Sequence, residues 1–380
     1  MIKSTSSTLS KIRTDFIGLD TVYTLADGRK TARTYLDSTA STLMMGLVHD
    51  LMEEFLDHYA NSHSVLHFSA KITTKEYKWA HERILSFLNA DPDQYTCFFT
   101  GSGTTAGINR LARVFREYRK EKDVVIVSIM EHHSNDLPHR KHSNKVVHVS
   151  LENQELGNPG SLDLEVLEKT LSLYKGRVNY VSITGISNVT GIINPIYDIA
   201  EIAHNHGAFV IIDGAQMAAH MPVKISGHSN PKRNIDAFVF SGHKTYAPGS
   251  PGVVICRKDI LTNIEPEEVG GGMVDDVFID NYIIKNNFPD REEAGTPNIP
   301  GAVALAASIE VLDTIGLEKI YKKEEELVLS TMEKMIQIED LIIYGEKDTN
   351  KCTRAGSISF NIRGLDHGFV AAVLNDYFNI

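Results

Sequence analysis

Cysteine is scarce in this 380-residue chain. Only Cys97, Cys256 and Cys352 occur, with no paired spacing for a zinc site or a disulfide framework. Cys97 lies in "YTCFFT" and Cys256 in "GVVICRK", apolar runs in which both read most simply as buried strand residues. Long apolar runs are missing too. None approaches the roughly 18 residues that a membrane helix needs. The opening "MIKSTSSTLSKIRTDF" has no apolar signal-peptide core. These absences set the expectation of a cytoplasmic protein with no membrane partner. Excess positive charge is also lacking. With 38 Lys and Arg against 49 Asp and Glu, the net charge is −11, which argues against general nucleic-acid binding. There is no internal repeat and no low-complexity linker. The hydrophobic fraction of 42% and charged fraction of 23% are ordinary for a soluble globular chain. The length exceeds one small core. It suggests two or three domains, or one large α/β domain with a satellite.

What is present is an alternation. Apolar strand-like runs lie at 96–100, 123–128, 146–151, 179–184, 208–213 and 236–241, with another in "GVVICRK". Between them come helical patterns, such as 104–118, 161–174 and 197–207. The last of these ends at Gly207, a residue suited to a helix stop. The runs are continuous rather than alternating, so both faces of each strand should be covered. Strand, helix, strand in succession predicts a mostly parallel sheet.

Open parallel sheets bind ligands beyond the carboxyl ends of their strands. The residues after each run therefore form a test set. They read "TGSGTT", "EHHSN", "GISNVTG", "DGAQ" and "SGHK". "TGSGTT" opens a helix, where free N–H groups and the dipole favour one phosphate. Thr104 and Thr105 add hydroxyls, although the same residues serve as a plain helix cap. No Gly-Lys-Ser/Thr follows, so this is not a nucleoside-triphosphate loop. Asp213 ends a very apolar strand. It is either a cap for the next turn or a fixed charge awaiting a cation or a protonated ring nitrogen. Lys244, beside Ser241 and His243, is either a solvated loop residue or, if enclosed, an amine with a lowered pKa and nucleophilic character. A phosphate cradle, a carboxylate, histidines that can stack and a lysine together match the needs of pyridoxal 5′-phosphate (PLP).

The motifs resemble those of the class V aminotransferase family of PLP enzymes, most closely its cysteine desulfurase and selenocysteine lyase branch. The resemblance rests on "TYLDSTAST" (34–42), "HFSAKITTKEY" (67–77), "TGSGTTAGINRLA" (100–112), "MEHHSNDLPHR" (130–140), "ISNVTGIINPI" (186–196), "VIIDGAQ" (210–216), "FSGHKTYAPGSPGV" (240–253), "GGGMV" (270–274) and "REEAGTPNIPG" (291–301). It implies an aspartate-aminotransferase-type fold (PLP fold type I). The large domain, 36–295, would carry a mostly parallel seven-stranded sheet. A smaller α/β domain would come from both chain ends, 1–35 and 296–380.

The resemblance also implies roles. Lys244 would anchor PLP as the internal aldimine, and Asp213 would pair with the ring nitrogen. Gln216 would bond the ring hydroxyl oxygen, with Asn188 near it and the substrate. His132 would stack on the ring and shuttle protons. Thr104, Thr105, Ser241 and His243 would hold the phosphate. Thr296 would reach the phosphate of a neighbouring subunit in a homodimer. The expected substrate is a small amino acid, cysteine or selenocysteine, with carbanion chemistry at Cα and a sulfur-acceptor protein as a further partner. Another class V transamination, epimerisation or β-elimination is the alternative. A PLP-binding but catalytically silent protein is the rival of a different class.

Three departures from the family pattern stand out. In "HSVLH" (63–67), Ser64 and Val65 replace an expected arginine and glycine. "LDSTAST" replaces a usual Asn-Ala-Ala-Thr-Thr. After "GSISFNI" and "DHGFVAAVLNDYF" the family continues into a loop with a nucleophilic cysteine and a carboxylate-binding arginine, so the smaller domain reads as incomplete. Cys352, in a polar stretch open to exposure, and Arg354 are not expected to replace those two residues.

Overall fold

The computed structural model describes residues 12–62, 64–154 and 157–380. The start of the expected N-terminal segment and His63 of "HSVLH" lie outside the described residues.

Seven strands form the central sheet. They are β1 (Tyr95–Thr100), β2 (Val124–Ser128), β3 (Lys145–Val149), β4 (Val178–Thr184), β5 (Phe209–Asp213), β6 (Ala237–Ser241) and β7 (Gly252–Arg257). Their spatial order is β1-β7-β6-β5-β4-β2-β3. All neighbours run parallel except β7, which is antiparallel to both β1 and β6. The mixed α/β architecture with a mostly parallel sheet is the one the sequence predicts. The reversal at β7 follows from its short connection. Only ten residues separate it from β6, too few for a helical crossover.

Alternate residues of each strand enter different cores, as the two-residue period of a strand requires. Phe99, Ile126, Ile183, Ile212 and Phe240 enter one cluster, and Phe98, Val125, Ile211, Val239 and Val254 the other. Helix α1 (Phe68–Phe87) packs on the first face against α5 (Ile299–Ile315). Helix α2 (Gly103–Tyr118) covers the second face through Ile108, Leu111 and Phe115. Burying each of these three side chains stabilises by about 1.5–3 kcal/mol. Over residues 301–309 helix α5 is buried on every side, while Glu310 and Asp313 nearer its end are exposed and pair with Arg83. Among the described residues, no single helix is long and apolar enough to cross a membrane.

The two ends of the chain meet. A hairpin of Val22–Thr24 with Lys30–Ala32 lies beside helix α7 (His367–Phe378). Ala26 N–H donates to Asp376 O at 2.9 Å, and Asn379 Nδ2 donates to Thr31 O and Ala32 O at 3.1 and 3.0 Å. Helix α6 (Leu317–Met335) contributes Val328 and Met332 to a separate small core with Ile343, on a two-stranded ribbon of Leu341–Ile343 with Phe360–Ile362.

Candidate active site

A cavity of about 710 Å³ opens at the carboxyl ends of the central strands. Its lining draws on the stretch after β1 (Gly101 to Thr105), the one after β2 (His132, Ser134) and the one after β4 (Ile186, Asn188). It also takes Asp213, Ala215 and Gln216 from β5, and Ser241, His243 and Lys244 from β6. All the sequence-predicted site residues except Thr296 therefore meet in one place. Asp37, Thr39 and Ala40 close the cavity from the N-terminal side.

The turn into α2 is shaped by Gly103. Its φ is +58°, and a Cβ there would stand 2.7 Å from Ser241 Oγ. Glycine thus lets the helix start lie directly on the end of β6. Thr104 closes this junction. Its N–H donates to Ser241 Oγ at 2.8 Å, and its hydroxyl lies 2.8 Å from the same oxygen. Ser102 provides no side-chain cap, and no acidic residue occupies the first turn. The positive end of this sixteen-residue helix faces the cavity with no acidic residue in its own first turn. Thr105 Oγ1 lies 2.6 Å from Ser134 Oγ, which ties the helix start to the loop of His132.

Asp213 is 3% exposed and accepts a 3.0 Å hydrogen bond from Ala215 N–H. Burial raises its carboxyl pKa to about 6, against the pull of Ala215 N–H and of Lys244. Burial likewise lowers the Lys244 amine below the ordinary lysine range, while Asp213 and Asp37 pull it back up. Each therefore sits where its charge is costly and the other's charge relieves the cost. The Lys244 turn is pinned from an unexpected quarter. Thr42 N–H and Oγ1 both donate to His243 O at 3.0 Å, and Tyr246 N–H donates to Thr42 Oγ1 at 2.8 Å. Ser41 Oγ lies 3.2 Å from His243 Nδ1. No local pattern in "STAST" signals these contacts, which join residues about 200 positions apart.

His132 is exposed, and its Nδ1 accepts from Ser134 N–H at 3.1 Å. This leaves Nε2 as the protonated nitrogen of the neutral ring. Burial and Lys244 lower its pKa, so the neutral form is favoured. Burial and Lys244 act on His243 in the same direction. Gln216 Nε2 donates to Thr39 O at 2.7 Å, which leaves its Oε1 for the cavity. Asn188 sits in a tight turn where Ser187 Oγ accepts from Val189 N–H and Thr190 N–H at 3.3 and 3.2 Å.

Thr296 lies elsewhere, in a cleft of about 350 Å³ with Gly101, Arg110 and Glu293. Gly101 is common to both spaces. Glu293 fixes the loop that carries Thr296. Its carboxylate accepts from Phe99 N–H at 2.7 Å and Tyr77 Oη at 2.6 Å, and lies 2.9 Å from His81 Nε2.

Cys352 is buried, correcting the expectation that its polar stretch exposes it. None of the three cysteines lines the cavity. Arg354, only 3% exposed, donates to the carbonyls of Glu346 and Tyr344 at 3.0 and 3.1 Å and to that of Thr190. Ala355 N–H donates to Gly191 O at 2.7 Å, and Ile193 N–H to Thr353 O at 3.1 Å. The stretch 353–355 thus grips the turn of Asn188 from behind.

The donor set decides what the cavity suits. A helix start with no acidic residue, an enclosed lysine amine and a buried carboxylate, each following a strand of the same sheet, fit a phosphorylated aldehyde with a basic ring nitrogen. The aminotransferase class-V family model matches residues 34–380. The chain belongs to the aminotransferase class-V family. A probable cysteine desulfurase of Halalkalibacterium halodurans is 36% identical over 343 residues, covering 90% of this chain and 80% of that protein. One from Pyrococcus abyssi is 34% identical, covering 90% and 82%. The solved cysteine desulfurase of Thermococcus onnurineus NA1 superposes with a TM-score of 0.84 at 31% identity, over 97% of this chain and 86% of that one. The Escherichia coli cysteine desulfurase CsdA gives 0.78 at 27% identity, over 99% and 87%. Class-V aminotransferases are PLP enzymes, and the fold of this member is PLP fold type I.

Proposed function

We propose that this protein is a PLP-dependent, cysteine desulfurase-like enzyme acting on a small amino acid, cysteine or selenocysteine. The observation that carries this reading is the convergence of Lys244, Asp213 and the start of α2 on one cavity. When bound, PLP supplies an aldehyde that condenses with amines and a ring that accepts electrons from Cα.

The chain's own residues supply the rest. Lys244 Nζ, its ammonium form disfavoured by burial, anchors the aldehyde and exchanges a proton at Cα. Asp213 holds the proton on the ring nitrogen, so it works as the carboxylate. His132 would stack on the ring, with Nε2 as its proton-bearing nitrogen. Thr104, Thr105, Ser241 and His243 form the phosphate end, where Thr104 also braces Ser241. Gln216 Oε1 and Asn188 would hold the ring hydroxyl and the substrate. In a homodimer, Thr296 reaches the partner's phosphate. The working division is a large domain at 36–295 and a smaller one from 1–35 and 296–380. We place the enzyme in the cytoplasm, passing sulfur to an acceptor protein.

Purified protein, loaded with PLP and reduced with borohydride, tests the reading. A pyridoxyl label on the Lys244 peptide is expected, and a label elsewhere or none overturns it. Alanine from cysteine, with sulfide released once a thiol reductant is added, supports the desulfurase reading. Pyruvate or another keto acid moves the enzyme to a different class V reaction.

A further inference from the structure

Glu131 does not line the cavity, yet its carboxylate ties three parts of the site together. Oε1 accepts from Ser128 Oγ at 2.5 Å. Oε2 accepts from Asn135 Nδ2 at 2.6 Å and from Thr184 N–H at 2.8 Å. Ser128 ends β2, Thr184 ends β4, and Asn135 follows His132 in the same loop. Thr184 is the register partner of Asp213 on β5. Two carboxyl groups therefore sit at adjacent strand ends, with one lysine, Lys244, across the cavity.

The hydrogen bonds behind Glu131 have a direction. Asn135 Oδ1 receives Ser182 Oγ at 2.7 Å and lies 3.2 Å from His139 Nε2. His139 Nδ1 is 2.9 Å from Tyr180 Oη. Burial holds His139 down to about 3, so its ring is neutral and uses one nitrogen to donate and one to accept. Tyr180, His139 and Asn135 then all donate toward Glu131. The backbone N–H of Thr184 cannot reverse, and the Asn135 amide is locked by its other partners. Of the three groups bonded to Glu131, the Ser128 hydroxyl, whose oxygen already accepts from Met130 N–H at 3.1 Å, is the one able to turn from donor to acceptor. A proton on Glu131 thus has one place to go, Oε1.

We propose that Glu131 is a positioning residue that works in its neutral form. It carries a proton on Oε1 toward Ser128 Oγ, holds the His132 loop on the sheet, and leaves Asp213 as the one ionised carboxyl beside the ring nitrogen. Burial pushes the Glu131 carboxyl up to about 8, outweighing its three hydrogen bonds, and Asp213 pushes the same way. The other titratable groups near it are His132 and His133 in its own loop, and His139 and Tyr180 behind Asn135. Only the role toward Asp213 rests on the PLP reading.

The test compares Glu131→Gln with Glu131→Ala. Glutamine mimics the neutral form, with its Nε2 donating to Ser128 Oγ. A carboxyl raised in the folded state costs stability as pH climbs from its unfolded value toward its folded one. In the cofactor-free full chain, the melting temperature of E131Q relative to wild type should therefore rise between pH 5 and 8, by about 2 °C or more. In the holoenzyme, E131A should lose activity at least about 10-fold and shift the pH profile of the cofactor's absorption band. E131Q should restore most of that loss. A pH-independent melting difference, or an E131Q as damaged as E131A, overturns the proposal. If wild-type Lys244 takes no label, the PLP reading fails, while the melting series still decides the state of Glu131.

Discussion

The cavity has two unlike walls. The sheet wall is made of strand ends whose side chains are fixed by burial, such as Asp213, Ser241 and Thr104. The opposite wall is made of Asp37, Thr39 and Ala40, of which Asp37 and Ala40 are exposed. The difference teaches where precision and variability are stored. Groups that must hold one geometry sit on buried strands. The exposed strip costs little to change.

The largest effect should come from the anchor. Lys244→Ala removes the amine from the sheet wall and should abolish both the borohydride label and turnover, read by peptide mass and product assay. Next is Asp213→Ala, which should cost on the order of 10²-fold or more in turnover, since a preorganised charge is lost from a buried site. A pH dependence accompanies it. Asp213 titrates near 6 when the ring is absent and must be ionised when it is present. Cofactor affinity should weaken as pH falls through about 6, and the D213N variant should lose that limb in a fluorescence titration. Gly103→Ala should come third. Forcing a side chain into φ +58° costs about 1–2 kcal/mol, and the new Cβ meets Ser241 Oγ. The expected reading is cofactor binding weaker by roughly 10-fold with the label still on Lys244. The smallest effect belongs to the exposed wall. Asp37→Asn should change KM within about 5-fold and leave the cofactor spectrum alone. A large spectral change there would erase the contrast between the walls.

The sheet wall was also the legible one. Continuous apolar runs fix the strands, and the residues just after them fall at one edge of a parallel sheet by topology alone. Asp213 and Lys244 stand out because a charge beside such a run needs a reason. The antiparallel course of β7 leaves no mark in its own residues, since "GVVICR" is as apolar as its parallel neighbours. Glu131 was visible beside His132, but its partner Thr184 is 53 positions away. Thr42 was hidden for the same reason, as its contact with His243 spans 201 positions. Local patterns report burial, whereas these contacts exist only after folding.

Arg354 carries one more consequence. Its guanidinium is buried against three backbone carbonyls, two on the C-terminal ribbon side and one on the Asn188 turn. Letting go would strand a buried cation and its acceptors without partners, which is costly. The turn of Asn188 is therefore mechanically part of the C-terminal unit, although it grows from a central strand. Any tilt of that unit drags the turn with it, so a displacement far from the lysine reaches the cavity as a change of shape.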